Sequence, residues 1–260
     1  MVAFGILGEL KLKTAIIIPA RLQSTRLPRK MLLAETGKPL VQHTVEAARQ
    51  CRLADRVLVA ADAAEIVEAV RRFGGEAVLT DPAHTSGTDR IAEASAAVPE
   101  CDLIVNLQGD EPEMNPAAVD RAIELLRNSS QASVATVVCP IRERAVLDDP
   151  ACVKVVCRHD GRALYFSRSP IPHARTWRDE LLEQEPPLFW QHLGLYVYRR
   201  EFLLRFSRLP ASELETTEML EQLRILQAGG EIVVATVEKQ AKGIDTPEDY
   251  RAFVSRLGKC

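Results

Sequence analysis

Three consecutive β-branched residues, Ile16, Ile17 and Ile18, bounded by Pro19, constrain this chain more than any other stretch. A run of that kind suits a strand buried on both faces of a parallel sheet, and the proline is expected to stop it. Two further apolar runs, Arg56 to Ala60 and Ala77 to Thr80, repeat the signal. Helical spacing separates them. Gly37-Lys38-Pro39 reads as a turn with Pro39 near the first helical position, after which Leu40, Val41, Thr44, Val45, Ala48 and Cys51 share one face. His43 lies beside that stripe and is expected to pack rather than react. Asp62 is expected to cap a helix through Phe73 that ends at Gly74-Gly75. This β-helix-β-helix-β rhythm implies right-handed crossovers and a mostly parallel, Rossmann-like three-layer α/β sheet. Its ligands belong outside the carboxyl ends of the strands.

The residues after the first strand stand in that position. Arg21, Arg26, Arg29 and Lys30 are interleaved with Ser24 and Thr25, a composition for holding several phosphates. Neither GxxxxGK[ST] nor GxGxxG occurs there, so the charge comes mainly from side chains, and a solvated basic loop is an equally good reading of the composition alone. Further on, His84 to Arg90, HTSGTDR, sets hydroxyls and a glycine before a helix, which favours a polar or anionic ligand. Leu103 to Pro112, LIVNLQGDEP, reads as a central strand broken abruptly, with Asp110 held at its carboxyl end. Phosphoryl transfer from a nucleoside triphosphate needs a hard cation, and Mg²⁺ is usually held by one or two carboxylates plus phosphate oxygens. Asp110 is the first candidate ligand, while Glu111 is expected to face outward or stabilise the loop.

Composition excludes several classes. The 260 residues suffice for one large α/β domain or two small ones, and 47% hydrophobic with 27% charged residues suggests neither disorder nor a fibre. A net charge of −3 and a pI near 6.0 give no support for nucleic-acid binding. No stretch approaches the roughly 18 apolar residues of a membrane span. Cys51, Cys101, Cys139, Cys152, Cys157 and Cys260 have neither CxxC nor zinc spacing, which suggests reduced thiols and a cytoplasmic location. Residues 1–13 lack the features of a signal peptide and are expected to be an extra terminal segment.

In the second half the signals change. Pro116 to Asn128 reads as an amphipathic helix and Ser133 to Ile141 as a strand. Asp160-Gly161 then joins two runs, Cys152 to Arg158 and Ala163 to Ser169, as a β-hairpin. A smaller hairpin-containing lobe is therefore expected over residues 140–191, with a charged, proline-rich and flexible excursion from Trp177 to Pro187. Glu213 to Leu226 has helical spacing, which sets Glu218 and Gln222 one turn apart on one face. A last strand, Ile232 to Glu238, precedes Asp245, which stands before a helix with Pro247 in its first turn.

PAR-xx-STRLP-x-K after a buried first strand, with SGTDR, QGDEP, YFSR, HLGLY and GIDTPED following in order, resembles the sugar nucleotidyltransferases that use CTP. The nearest group is that of the 3-deoxy-manno-octulosonate (Kdo) cytidylyltransferases, and the likeness runs from about Thr14 to Leu257. One position departs: Arg29 stands where the family usually has glycine, either restricting the loop or adding a phosphate contact. The resemblance implies a sheet of the nucleotidyltransferase type, with residues 14–139 binding nucleotide, 140–191 an inserted lobe for sugar and dimerisation, and 192–260 completing the sheet. It implies transfer of CMP from CTP to Kdo for lipopolysaccharide synthesis, a homodimer, and Mg²⁺ on Asp110 and Asp245. Arg21, Lys30 and Asp110 would be catalytic. Pro19, Ala20, Arg21, Lys30, Ser86, Gly87, Thr88 and Arg90 would bind nucleotide. Gln108, Arg168, His192, Tyr196, Glu218 and Gln222 would bind sugar, Arg168 through the acid's carboxylate. Activation of another 2-keto sugar acid is the near alternative. A catalytically silent regulator that senses CTP is the distant one, disfavoured because Asp110, Asp245 and Lys30 are all present.

Overall fold

The computed structural model describes residues 12–238 and 243–258. The expected terminal extension, residues 1–13, falls almost wholly outside them, as does Cys260. A nine-stranded sheet organises the rest. Its strands are β1 (Thr14–Ala20), β2 (Arg56–Ala61), β3 (Glu76–Leu79), β4 (Leu103–Asn106), β5 (Val134–Pro140), β6 (Lys154–Cys157), β7 (Ala163–Ser167), β8 (Trp190–Arg199) and β9 (Ile232–Thr236). The helices are α1 (Leu40–Ala48), α2 (Ala64–Arg72), α3 (Gly87–Ala94), α4 (Pro116–Asn128), α5 (Arg144–Asp148), α6 (Arg200–Phe206), α7 (Glu213–Glu218), α8 (Gln222–Gln227) and α9 (Pro247–Leu257).

The order β3-β2-β1-β4-β8-β5-β9 is parallel except at β8, which runs antiparallel between β4 and β5. The hairpin of β6 and β7 joins the same sheet where β6 pairs β8. Alternation along β1 sends Ile16 and Ile18 into one core with α1, α2, α4 and α9, and Ala15 and Ile17 into the other with α3, α6 and α8. All four are fully buried, as a central parallel strand requires. Residues 141–189 contain a third, small cluster around Leu147, Leu182 and Phe189.

Four local expectations need correction. β1 does not stop at Pro19 but runs through Ala20. Ile17 turns its carbonyl to β4, accepting from Leu107 N–H, and pairing with β4 ends there. Pro19, two residues on, faces the same vacant side, so its missing N–H costs no ladder bond. Asp62 does not cap α2, whose N-cap is Ala63; its carboxylate instead accepts from Leu22 N–H at 2.8 Å, holding the loop after β1. The expected helix over Glu213 to Leu226 breaks at Met219, which adopts left-handed φ 53°, so Glu218 ends α7 and Gln222 begins α8. The excursion from Trp177 to Pro187 is tethered: Leu182 is buried, and the Arg144 guanidinium lies 4.0 Å over the Trp177 ring.

Candidate active site

Strand ends build the site. β1 delivers residues 19–31, the turn before α3 delivers 85–87, the end of β4 delivers 108–110, and the segment before α9 delivers Asp245; together they line a cavity of about 480 Å³. Close packing sets its floor. A Cβ at Gly109 would lie 2.9 Å from the Pro19 carbonyl oxygen, so only glycine lets the two strand ends approach this closely. Thr44 of α1 donates a buried hydrogen bond to the Gly109 carbonyl at 2.8 Å and pins the turn that presents Asp110.

At the centre stands Lys30. Its ammonium donates to Asp110 Oδ2 at 2.5 Å, to Asp245 Oδ1 at 3.1 Å and to the Ile244 carbonyl at 3.1 Å, which uses all three of its protons. The Lys30 side chain is 12% exposed, against 23% for Asp110 and 44% for Asp245, so the pair is reached from the Asp245 side. Arg26 completes the group, bonding Asp245 Oδ2 at 3.1 Å. Arg21 spans the cavity mouth to the Thr85 carbonyl at 2.8 Å. Three cations thus face two carboxylates, a surplus of one positive charge in a chain of net −3. A pocket so biased attracts polyanions.

The nucleotide-side residues divide into lining and support. Pro19, Arg21, Lys30, Ser86 and Gly87 line the cavity, whereas Ala20, Thr88 and Arg90 are buried behind it. Ser86 caps α3 by accepting from Asp89 N–H at 3.0 Å. Thr88 hydrogen-bonds the Glu221 carboxylate, joining α3 to the start of α8. Burial pushes the Glu221 carboxyl above its usual range. Arg90 is fully buried, donating to Thr80 Oγ1 at 2.6 Å, and burial holds its guanidinium below its ordinary value.

The sugar-side residues are more dispersed. Gln108 lines the main cavity. His192 lines a second one of about 540 Å³ that begins at Glu111 and Gly243, the neighbours in sequence of the aspartate segments. Its Nε2 lies 2.8 Å from Thr136 Oγ1, its ring stands edge-on to Phe166, and burial pushes its pKa down to about 3, so the ring is neutral. Tyr196 lies beside it, ring centroids 5.3 Å apart. Arg168, Glu218 and Gln222 line neither cavity. Glu218 accepts from Ser167 Oγ at 2.6 Å and Arg168 N–H at 2.9 Å, and Gln222 is buried.

Arg29 turns away from the site. It sits in left-handed conformation at φ 56°, and its guanidinium pairs with Glu65 of α2, both half exposed. Of the two readings of this position, a phosphate contact finds no counterpart in that geometry. Arg26, Gly109 and Thr44 are the residues that sequence reasoning left out of the site; only the interleaving of cations after β1 signalled Arg26.

Asp110 and Asp245 offer hard oxygen donors, and the Lys30 ammonium bonds both of them. Among the described residues no group of three or more His, Cys, Asp or Glu is placed to hold a metal ion. Two carboxylates suit a Mg²⁺ that would take its remaining positions from phosphate and water.

The chain is similar over most of its length to known proteins. The profile of the family described as cytidylyltransferase matches residues 15–236. A 3-deoxy-manno-octulosonate cytidylyltransferase of Rhodopirellula baltica is 49% identical over 247 residues, covering 95% of this chain and 99% of its own. One from Geotalea daltonii is 44% identical over 250 residues, covering 95% and 98%. A solved CMP:2-keto-3-deoxy-manno-octonic acid synthetase in complex with CTP superposes with a TM-score of 0.87 at 40% identity, covering 95% of this chain and 99% of that one. The chain belongs to the cytidylyltransferase family, in the group of the 3-deoxy-manno-octulosonate cytidylyltransferases.

Proposed function

We propose that this enzyme transfers CMP from CTP to the anomeric 2-hydroxyl of Kdo, forming CMP-Kdo and releasing pyrophosphate. The observation that carries the reading is the meeting of Asp110, Asp245 and Lys30, from distant parts of the chain, inside a cationic cavity at the strand ends. The substrate pair is supported by likeness over nearly the whole chain to relatives named for it. The hydroxyl oxygen attacks the α-phosphorus, the bond to the bridging oxygen breaks, pyrophosphate takes the electron pair, and the hydroxyl proton passes to solvent. Arg21, Arg26 and Lys30 set positive charge against the triphosphate as charge shifts to the leaving group. Ser86 and Gly87 at the start of α3 border the cytidine, with Thr88 and Arg90 fixing their position. Arg168 takes the sugar's carboxylate. Gln108, Tyr196, Glu218 and Gln222 orient the acceptor. His192, being neutral, serves as a hydrogen-bonding group rather than an acid. Asp110 and Asp245 would hold Mg²⁺, which supplies further positive charge to the triphosphate when bound.

The reading extends to a cytoplasmic homodimer supplying lipopolysaccharide synthesis. Supporting it, the cysteines among the described residues are free, and no helix among those residues is long and apolar enough to cross a membrane. Among the described residues β7 pairs with β6 alone and exposes Leu164 at 56%, which suits an edge covered by a second copy. The test is pyrophosphate release from CTP and Mg²⁺ with Kdo, sialic acid or an amino-substituted Kdo, with products identified by mass spectrometry. Kdo is expected to be used best. Faster turnover of another acid would reassign the acceptor, and silence with every acid would refute catalysis.

A further inference from the structure

Lys154 of β6 is wholly buried and makes no ion pair with a carboxylate among the described residues. Its ammonium donates to the carbonyls of Asp149 at 2.9 Å, Cys152 at 2.6 Å and Arg168 at 2.5 Å, its full complement of three. Removing a charge from water is costly, and here three backbone carbonyls are the groups that bond it. The sheet does not ask for a charge at this position, since Val155 beside it is buried in the ordinary apolar way. What the ammonium does is join two pieces of chain: the turn over residues 149–152 and the end of β7.

Arg168 closes the same joint from outside. Its side chain donates from Nη1 to the Pro150 carbonyl at 3.0 Å, from Nε to the Glu218 carbonyl at 2.7 Å and from Nη2 to the Met219 carbonyl at 3.2 Å. The Glu218 carboxylate answers by accepting from Ser167 Oγ and from Arg168 N–H. Three main-chain carbonyls therefore fix the plane of the guanidinium. Counting bonds among the described residues, one N–H remains on each terminal nitrogen, the number a carboxylate accepts from a fork.

The geometry points to Lys154 as a positioning residue for Arg168. It holds the main chain of Arg168 and the turn carrying Pro150, so that a two-pronged seat for the sugar acid's carboxylate is set before the acid arrives. This rests on the reading that Arg168 takes that carboxylate.

Lys154→Met and Lys154→Gln, each alone and combined with Arg168→Ala in the full chain, test it through initial rates against both substrates. Lys154→Met is expected to raise KM for Kdo about tenfold or more while KM for CTP stays within about twofold. Lys154→Gln, which keeps two donors, is expected to recover part of the loss. In the Arg168→Ala background either change is expected to add less than about twofold, because the group it positions is gone. Fully additive losses, or an equal rise in both KM values, would make Lys154 a general scaffold and overturn the inference. If Lys154→Met yields no folded protein by circular dichroism, Lys154→Gln carries the same comparisons. An unchanged KM for Kdo in Arg168→Ala alone would remove the role of Arg168 and the inference with it. A raised KM there with no effect of either Lys154 variant would sink the inference only.

Discussion

Replacing Gly109 by alanine perturbs the site through one methyl group. That carbon would lie 2.9 Å from the Pro19 carbonyl oxygen, 3.0 Å from Met31 Sδ and 3.5 Å from Ile18 Cγ2. The methionine can swing aside, but the Pro19 carbonyl belongs to a strand paired along its length with β2. Gly109 has no left-handed φ, so the clash and not the backbone angle resists the change. Overpacking of this kind costs about 1–3 kcal/mol, of which the stiffer unfolded chain returns about 0.4–1, leaving a net loss of about 1–2 kcal/mol. For a chain of 260 residues the melting point is then expected to fall by roughly 2–8 °C. The effect on rate is larger. The least costly relief moves the turn over residues 108–111 outward, taking Asp110 from the Lys30 ammonium now 2.5 Å away. A displacement near 1 Å at such a centre costs about 100-fold in turnover. Thermal denaturation followed by circular dichroism, with pyrophosphate release at saturating CTP and Kdo, measures both. A melting point within about 1 °C and a kcat within about twofold of the parent would refute the packing argument.

Asp110→Asn is expected to keep the fold, since the side chain is partly exposed, and to lose at least about 1,000-fold in turnover; parental turnover at saturating Mg²⁺ would remove Asp110 from the mechanism. Arg29→Gly is expected to leave kcat/KM for CTP within about twofold and stability within about 1 kcal/mol, because relief of the left-handed strain offsets the exposed pair with Glu65 and the looser unfolded chain. A large rise in KM for CTP would show that Arg29 reaches the phosphates after all. His192, with its pKa at about 3 when folded and 6.5 as the reference value, makes stability complete above pH 6.5. As pH falls toward 3 the unfolded chain takes up the proton first, so up to about 1.4 kcal/mol per pH unit is lost. Urea denaturation between pH 7 and pH 4 is expected to show a shallower slope for His192→Gln, and identical slopes would contradict the buried neutral ring.

What the sequence made legible follows the range of the forces involved. Apolar runs and the residues that break them mark the ends of β1 and β4 to within a few residues, so Arg21, Lys30 and Asp110 were placed by local pattern, whereas Gln108 came from the resemblance. Asp245 came only from the likeness of GIDTPED, since no local signal says that a residue so late in the chain meets Lys30. The break at Met219 was hidden because TTEMLEQLRIL contains neither glycine nor proline. It arises from tertiary contacts: Arg168 draws off the carbonyls of Glu218 and Met219 while Leu220 is buried in the core. Asp62 looked like a helix cap and is one by type, but the N–H of Leu22 claimed its carboxylate. The reversed direction of β8 likewise depends on where its neighbours already lie.

Lys30 and Asp245 are 215 positions apart, and this governs when the molecule becomes competent. Until α9 seats its Phe253 ring against His43 of α1, Arg26 and Lys30 have only Asp110 to answer them. Before that contact forms, the cations after β1 lack the second acid of the pair. On the proposed mechanism the site is complete only once that last helix has docked.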